Sequence, residues 1–134
     1  MTNSDGLPRA VIAAHGDFAA GLVSAVQLIS GRGDACRALS NSGLDAASLE
    51  SAVRAAIAEH GATVVFTDLP AGSCTIAARK ATRETPEVAV VTGVNLPMLL
   101  DFVMKEGTDR AAAERAAAKG RDAIAVAPAP VRAP

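Results

Sequence analysis

The tightest constraint on this chain's fold is a pair of short apolar runs, Ala10–Ala14 and Thr63–Thr67, that lack polar alternation. A strand with water on one face alternates with a period of two. An unbroken run therefore describes a strand covered on both faces. Covering both faces takes helices on each side, which implies parallel strands joined by helical crossovers. Val88–Val91, between Pro86 and Gly93, reads the same way. Cys36–Leu39 is a weaker strand candidate, and Ala123–Val126 a short terminal one.

Helical spacing fills the gaps. Leu22, Ala25, Val26 and Ile29 recur at i, i+3, i+4, i+7, with Gly31 as a stop. Leu49, Ala52, Val53, Ala56 and Ile57 repeat the stripe, with Asp45 as N-cap and Gly61 beyond the end. Leu99, Phe102 and Val103 form a third, opened by Asn95 and Pro97. A fourth helix, poor in large residues, runs from Asp109 to Lys119 and stops at Gly120. The expected fold is a doubly wound α/β domain. Its mainly parallel sheet carries helices on both faces and a short C-terminal edge strand.

At 134 residues, half of them hydrophobic, the chain can bury one core. That core must be built from Ala, Val, Leu and Ile, since there are three Phe and no Trp or Tyr. One domain is expected over residues 9–126, after a polar tail (1–8) and before an extended Ala/Pro-rich tail (127–134). Proline in the latter neither donates to a ladder nor continues a helix.

The charge balance excludes several functions. Thirteen basic against fourteen acidic residues leave a net charge of -1, without the excess of cations that nucleic acid requires. So few aromatics also leave no base-stacking platform. Cys36 and Cys74 form neither a CxxC pair nor a disulfide framework, which fits a reducing compartment. The N-terminus lacks a signal-peptide pattern and no apolar run reaches spanning length, so a cytoplasmic location is expected.

In open parallel sheets, reacting groups collect where strands end and helices begin. The first strand ends in Ala14-His15-Gly16-Asp17, the second buried strand in Thr67-Asp68-Leu69-Pro70-Ala71-Gly72-Ser73, and the third in Thr92-Gly93-Val94-Asn95. Neighbouring strands would crowd His15, Asp68, Ser73 and Asn95 on one rim. A neutral imidazole attacks through one nitrogen while the other donates a hydrogen bond, and a carboxylate on the second nitrogen fixes the tautomer. His15 and Asp68 supply that pair. Gly16 and Gly72 allow close backbone approach. N–H groups near Ser73, together with its hydroxyl, would receive phosphate oxygens at a helix N-terminus. The set suits reversible phosphoryl transfer without metal, nucleotide or other cofactor. Each residue also has a purely structural reading: Asp68, Ser73 and Asn95 all fit as helix caps, and a histidine after a strand often only packs.

Other features carry less. His60 closes a helix before a strand, on the opposite rim, where it would meet the helix C-terminal dipole. Arg32-Gly33-Asp34 reads as a turn, and Gly31-Arg32-Gly33 lacks the rest of a dinucleotide fingerprint. Cys74, near a helix N-terminus, would be somewhat acidic but reads as a small packing residue.

Three segments together resemble the enzyme IIA domains of the mannose-type (mannose/fructose/sorbose) bacterial phosphotransferase system. They are Val11-Ile12-Ala13-Ala14-His15-Gly16-Asp17-Phe18-Ala19, Thr67-Asp68-Leu69-Pro70-Ala71-Gly72-Ser73 and Thr92-Gly93-Val94-Asn95-Leu96-Pro97-Met98-Leu99-Leu100. The resemblance spans Arg9 to Val126. It implies that His15 carries the phosphoryl group and that Asp68 orients it. The donor would be HPr, charged from phosphoenolpyruvate by enzyme I, and the acceptor enzyme IIB, upstream of sugar entry. The membrane would be involved only through transporter subunits. It also implies a homodimer in which Ala123–Val126 pairs with the partner's sheet. Ala71 departs from the family's Gly-Gly-Ser, and Cys74-Thr75 stands where Pro and a small polar residue are common. An Ala/Pro-rich stretch leads into IIB in fused relatives, so its position here at the end implies a separate IIB. The alternative is a stand-alone regulatory protein whose phosphorylation state controls partners without transport. An aspartate-phosphorylated receiver would need an acidic cluster where His15-Gly16 stands, and a small hydrolase would need a nucleophile elbow.

Overall fold

The computed structural model describes residues 6–131. Its chain order is β1 (Ala10–Ala14), α1 (Phe18–Ser30), a short 3-10 turn (Gly33–Ala35), β2 (Cys36–Ser40), α2 (Ala46–His60), β3 (Val64–Thr67), α3 (Ser73–Ala81), β4 (Ala89–Thr92), α4 (Leu96–Met104) and α5 (Arg110–Asp122). The four strands form one all-parallel sheet in the order β2-β1-β3-β4. Helices cover both faces, so the fold is the doubly wound α/β arrangement.

Burial follows the pleat. All five residues of β1 and all four of β3 are buried, as expected of central strands. Ala10, Ile12 and Ala14 point into one core with α1, α4 and α5; Val11 and Ala13 point into the other with α2 and α3. Phe66 and Phe102 meet edge to face with centroids 5.4 Å apart, a contact of about 1 kcal/mol beyond the area they bury. The outer strands β2 and β4 are only partly buried. This is why Cys36–Leu39, interrupted by the exposed Arg37, gave the weaker strand signal.

The helix ends follow their chemistry. Asp45, Asn95 and Asp109 accept from the backbone N–H of Ser48, Met98 and Ala112 respectively. Gly31 and Gly61 close α1 and α2 in the left-handed conformation.

Three expectations need correction, and one helix was only implied. Ala123–Val126 is not a strand: after α5 the chain has no ladder partner, and Ile124 and Val126 are 76% and 97% exposed. A strand needs a neighbour to bond, and among the described residues Ala123–Val126 pairs with none. Gly120 does not stop α5, which runs on to Asp122. Gly120 is instead buried against α4, where a Cβ would lie 2.7 Å from Met98 Cε and 2.8 Å from Asn95 Oδ1. Its missing side chain sets the helix spacing. The helix α3 was implied only by its N-terminus, because its buried stripe is Cys74, Ala77, Ala78 and Ala81, too small to stand out as a period. Its cap is Gly72, with Ser73 the first helical residue.

Residues 127–131 of the Ala/Pro-rich tail are exposed and outside any helix or strand; 132–134, like residues 1–5 of the polar N-terminal tail, lie outside the described residues. Among the described residues no helix is long and apolar enough to cross a membrane.

Candidate functional site

The strand order creates the site. From β1 the chain moves outward to β2, then returns past β1 to β3, so β1 and β3 are adjacent strands whose outgoing connections part to opposite sides. The crevice opened there, beyond the strand C-termini, is where doubly wound sheets hold reacting groups. His15 follows β1 and Asp68 follows β3.

The two side chains meet. His15 Nδ1 lies 2.8 Å from Asp68 Oδ2, and the same oxygen accepts the backbone N–H of His15 at 3.0 Å. The ring is 45% exposed while the carboxylate is only 12% exposed. Burial alone would push the Asp68 carboxyl up, but the backbone and side-chain hydrogen bonds from His15 outweigh it and hold the group below its usual range. Asp68 is therefore an acceptor, and Nδ1 is the ring nitrogen that faces it. Asp68 Oδ1 is buried without a hydrogen-bond partner among the described residues.

The surrounding loops are braced. Gly16 has φ +57, a left-handed turn that lets the chain reverse after His15 into α1. Its N–H donates to Asn41 Oδ1 at 3.2 Å. Asn41 follows β2 and was missed in the sequence, although the turn cluster Ser40-Asn41-Ser42-Gly43 marks another strand end on the same rim. Under Asp68, Thr75 Oγ1 donates to the Leu69 carbonyl at 2.6 Å and lies 2.7 Å from Thr67 Oγ1. These bonds tie the loop to the first turn of α3.

Gly72 sits against the ring: a Cβ there would be 3.7 Å from His15 Cε1, and its φ of +120 belongs to glycine. Ser73 opens α3 beside it, so the unpaired N–H groups of that helix start lie next to the imidazole. Asn95 is placed differently. Its Oδ1 caps α4 at the Met98 N–H, and its Nδ2 donates to the Gly120 carbonyl at 2.9 Å. Its polar atoms hold α4 to α5 and are not turned to His15. Cys74 is buried, and its thiol is pushed up by burial and by the Asp68 charge, contrary to the acidic shift expected from a helix start. On the other rim, His60 Nε2 lies 2.9 Å from the Ala35 carbonyl at the end of α2.

A half-exposed imidazole with one nitrogen held by a largely buried carboxylate thus stands at the strand ends of a doubly wound domain. The family described as the fructose IIA component of the phosphotransferase system matches residues 9–119, and the chain belongs to it. The fold agrees with solved structures. The mannose/sorbose-specific IIA subunit from Enterococcus faecalis has a TM-score of 0.81 at 20% identity, over 95% of this chain and 99% of that one. The EIIA component from Streptococcus agalactiae gives 0.80 at 21%, over 90% and 97%. The IIA protein associated with the fucose utilization operon of Streptococcus pneumoniae gives 0.78 at 22%, over 94% and 96%. No functionally curated sequence matches the chain.

Proposed function

We propose that this protein is a phosphohistidine carrier: His15 accepts a phosphoryl group from HPr and passes it to enzyme IIB in phosphoenolpyruvate-dependent sugar uptake. The observation that carries the reading is the 2.8 Å contact of His15 Nδ1 with Asp68 on a half-exposed ring. Nε2 attacks the phosphorus of the donor phosphohistidine. The new N–P bond forms as the donor's N–P bond breaks, and the donor ring keeps its electron pair. Positive charge developing on His15 is balanced by Asp68, a group already in place and ionised. Gly72 keeps the space beside the ring free of a side chain, and the first N–H groups of α3 and the Ser73 hydroxyl receive the phosphate oxygens. Running the steps backward onto an acceptor histidine discharges the carrier.

A partner's active site must reach Nε2, and the rim is suited to that. Phe18 and Leu69, both close to the site in sequence, are 47% and 49% exposed. We infer a homodimer as well: the exposed Ile124 and Val126 would find the missing ladder on a second copy.

Incubation with phosphoenolpyruvate, enzyme I and HPr, followed by mass analysis, tests the carrier role. The chain should gain one phosphoryl group, labile in acid and stable in base, and addition of IIB should remove it. A folded His15→Ala variant should gain none; retained labelling there sinks the assignment.

A further inference from the structure

We infer that His15, Asp68 and Cys74 form a binding site for a zinc-class divalent metal ion, and that the ion competes with the phosphoryl group for His15. The metal site stands on geometry; the competition rests on the carrier reading above. One ligand atom from each residue (a ring nitrogen, a carboxylate oxygen and Sγ) lies within 4.8 Å of the other two. Around a tetrahedral ion with bonds of about 2.0–2.3 Å, ligand atoms sit roughly 3.5 Å apart. The three groups need to draw together by roughly 1 Å, and the half-exposed ring is free to make most of that move.

Two observations point the same way. Asp68 Oδ1 is buried with no hydrogen-bond partner, an arrangement that a bound cation would relieve. Cys74 is fully buried on the first turn of α3, so its Sγ faces protein groups and not solvent. On metal binding the thiol proton leaves to water, and two anions plus a neutral imidazole neutralise the dication. A mixed sulfur, nitrogen and oxygen set favours zinc, cobalt or cadmium over magnesium or calcium. The exposed side of His15 leaves the fourth position open. A neutral imidazole has one free electron pair. With that pair in a metal bond, and Asp68 turned to the ion, no nucleophile remains for phosphorus.

The test is a Co2+ titration of the metal-free full chain, read by thiolate-to-cobalt charge-transfer absorption and the visible bands of a tetrahedral ion. One equivalent should bind, Cys36→Ser should keep the band and Cys74→Ser should lose it. Absence of the band in the unaltered chain overturns the site, whether or not the variants fold; so does a band that survives Cys74→Ser. Phosphorylation is then timed with and without Zn2+ in each protein. The unaltered chain should slow by about tenfold or more, and Cys74→Ser should give a ratio near one. Comparison within each protein cancels any effect of zinc on enzyme I or HPr. Cobalt binding with no zinc effect on phosphorylation overturns the competition. Failure of the metal-free chain to accept phosphate strikes the carrier reading, while the cobalt titration still judges the site.

Discussion

Two carboxylates in this protein, one buried and one largely so, are placed in contrasting settings. Asp101, on α4, is 1% exposed at its side chain, with Lys105 Nζ 2.7 Å from Oδ1 and Arg115 Nε 3.1 Å from Oδ2. Asp68 instead accepts from His15, from both its backbone N–H and its ring, through Oδ2. In both, burial pushes the carboxyl up and hydrogen bonds overcome it: from Lys105 and Arg115 at Asp101, from His15 at Asp68. The Asp101 cluster links α4 to α5 through Lys105 and Arg115. On the carrier reading proposed above, His15 would change its charge during phosphoryl transfer, and Asp68 would face a variable partner. A permanent pair makes a fastener, whereas a variable pair makes a working part.

That contrast can be broken or sharpened by experiment. The largest effect is expected at the rim: Asp68→Ala should slow phosphorylation by about a hundredfold or more, with folding nearly intact. An unchanged rate would remove Asp68 from the mechanism. The reverse pattern belongs to Asp101→Ala, which should lower unfolding stability by about 2 kcal/mol, measured in urea, with little change in transfer rate. The figure is below that of fully buried pairs because the two cations left behind are partly exposed. Gly120→Ala tests the same α4–α5 seam without charge. A methyl group 2.7 Å from Met98 Cε should cost about 1–2 kcal/mol, and an unchanged melting temperature would show that the seam yields. Asn41→Ala, which frees the Gly16 N–H, should slow transfer by about fivefold, one hydrogen bond's worth.

The smallest effect is in acid. Both carboxyls are held below the ordinary Asp value of 3.8 in the folded chain, so the unfolded chain binds protons first as pH falls. Their stabilisation is complete above that value and is lost as pH falls through the folded values. Asp101→Asn should therefore flatten the loss of stability below about pH 4, as read from urea midpoints. A loss as steep as in the unaltered chain would place the acid sensitivity elsewhere.

Much of this architecture could be read from the sequence, for local reasons. The runs at Ala10–Ala14 and Thr63–Thr67 exposed the central strands, and Asp45, Asn95, Gly31 and Gly61 marked helix ends through their own backbone chemistry. His15 and Asp68 were candidates because each follows a buried strand. The weak places were those without a local signature. The helix α3 hides in alanines, and Gly120 looked like a stop because a glycine that makes room resembles one that ends a helix.

What the sequence determined alone is the alternation of strands and helices and which residues stand at the strand ends. The tertiary structure decided that β1 and β3 are neighbours, which brings together residues 53 positions apart. It also decided that Asn95 ties α4 to α5, that Asn41 holds the His15 turn, and that Ala123–Val126 joins no strand among the described residues. Local periodicity depends on neighbours along the chain. Strand order and the choice between two hydrogen-bond partners depend on which surfaces pack, and no short stretch of residues contains that information.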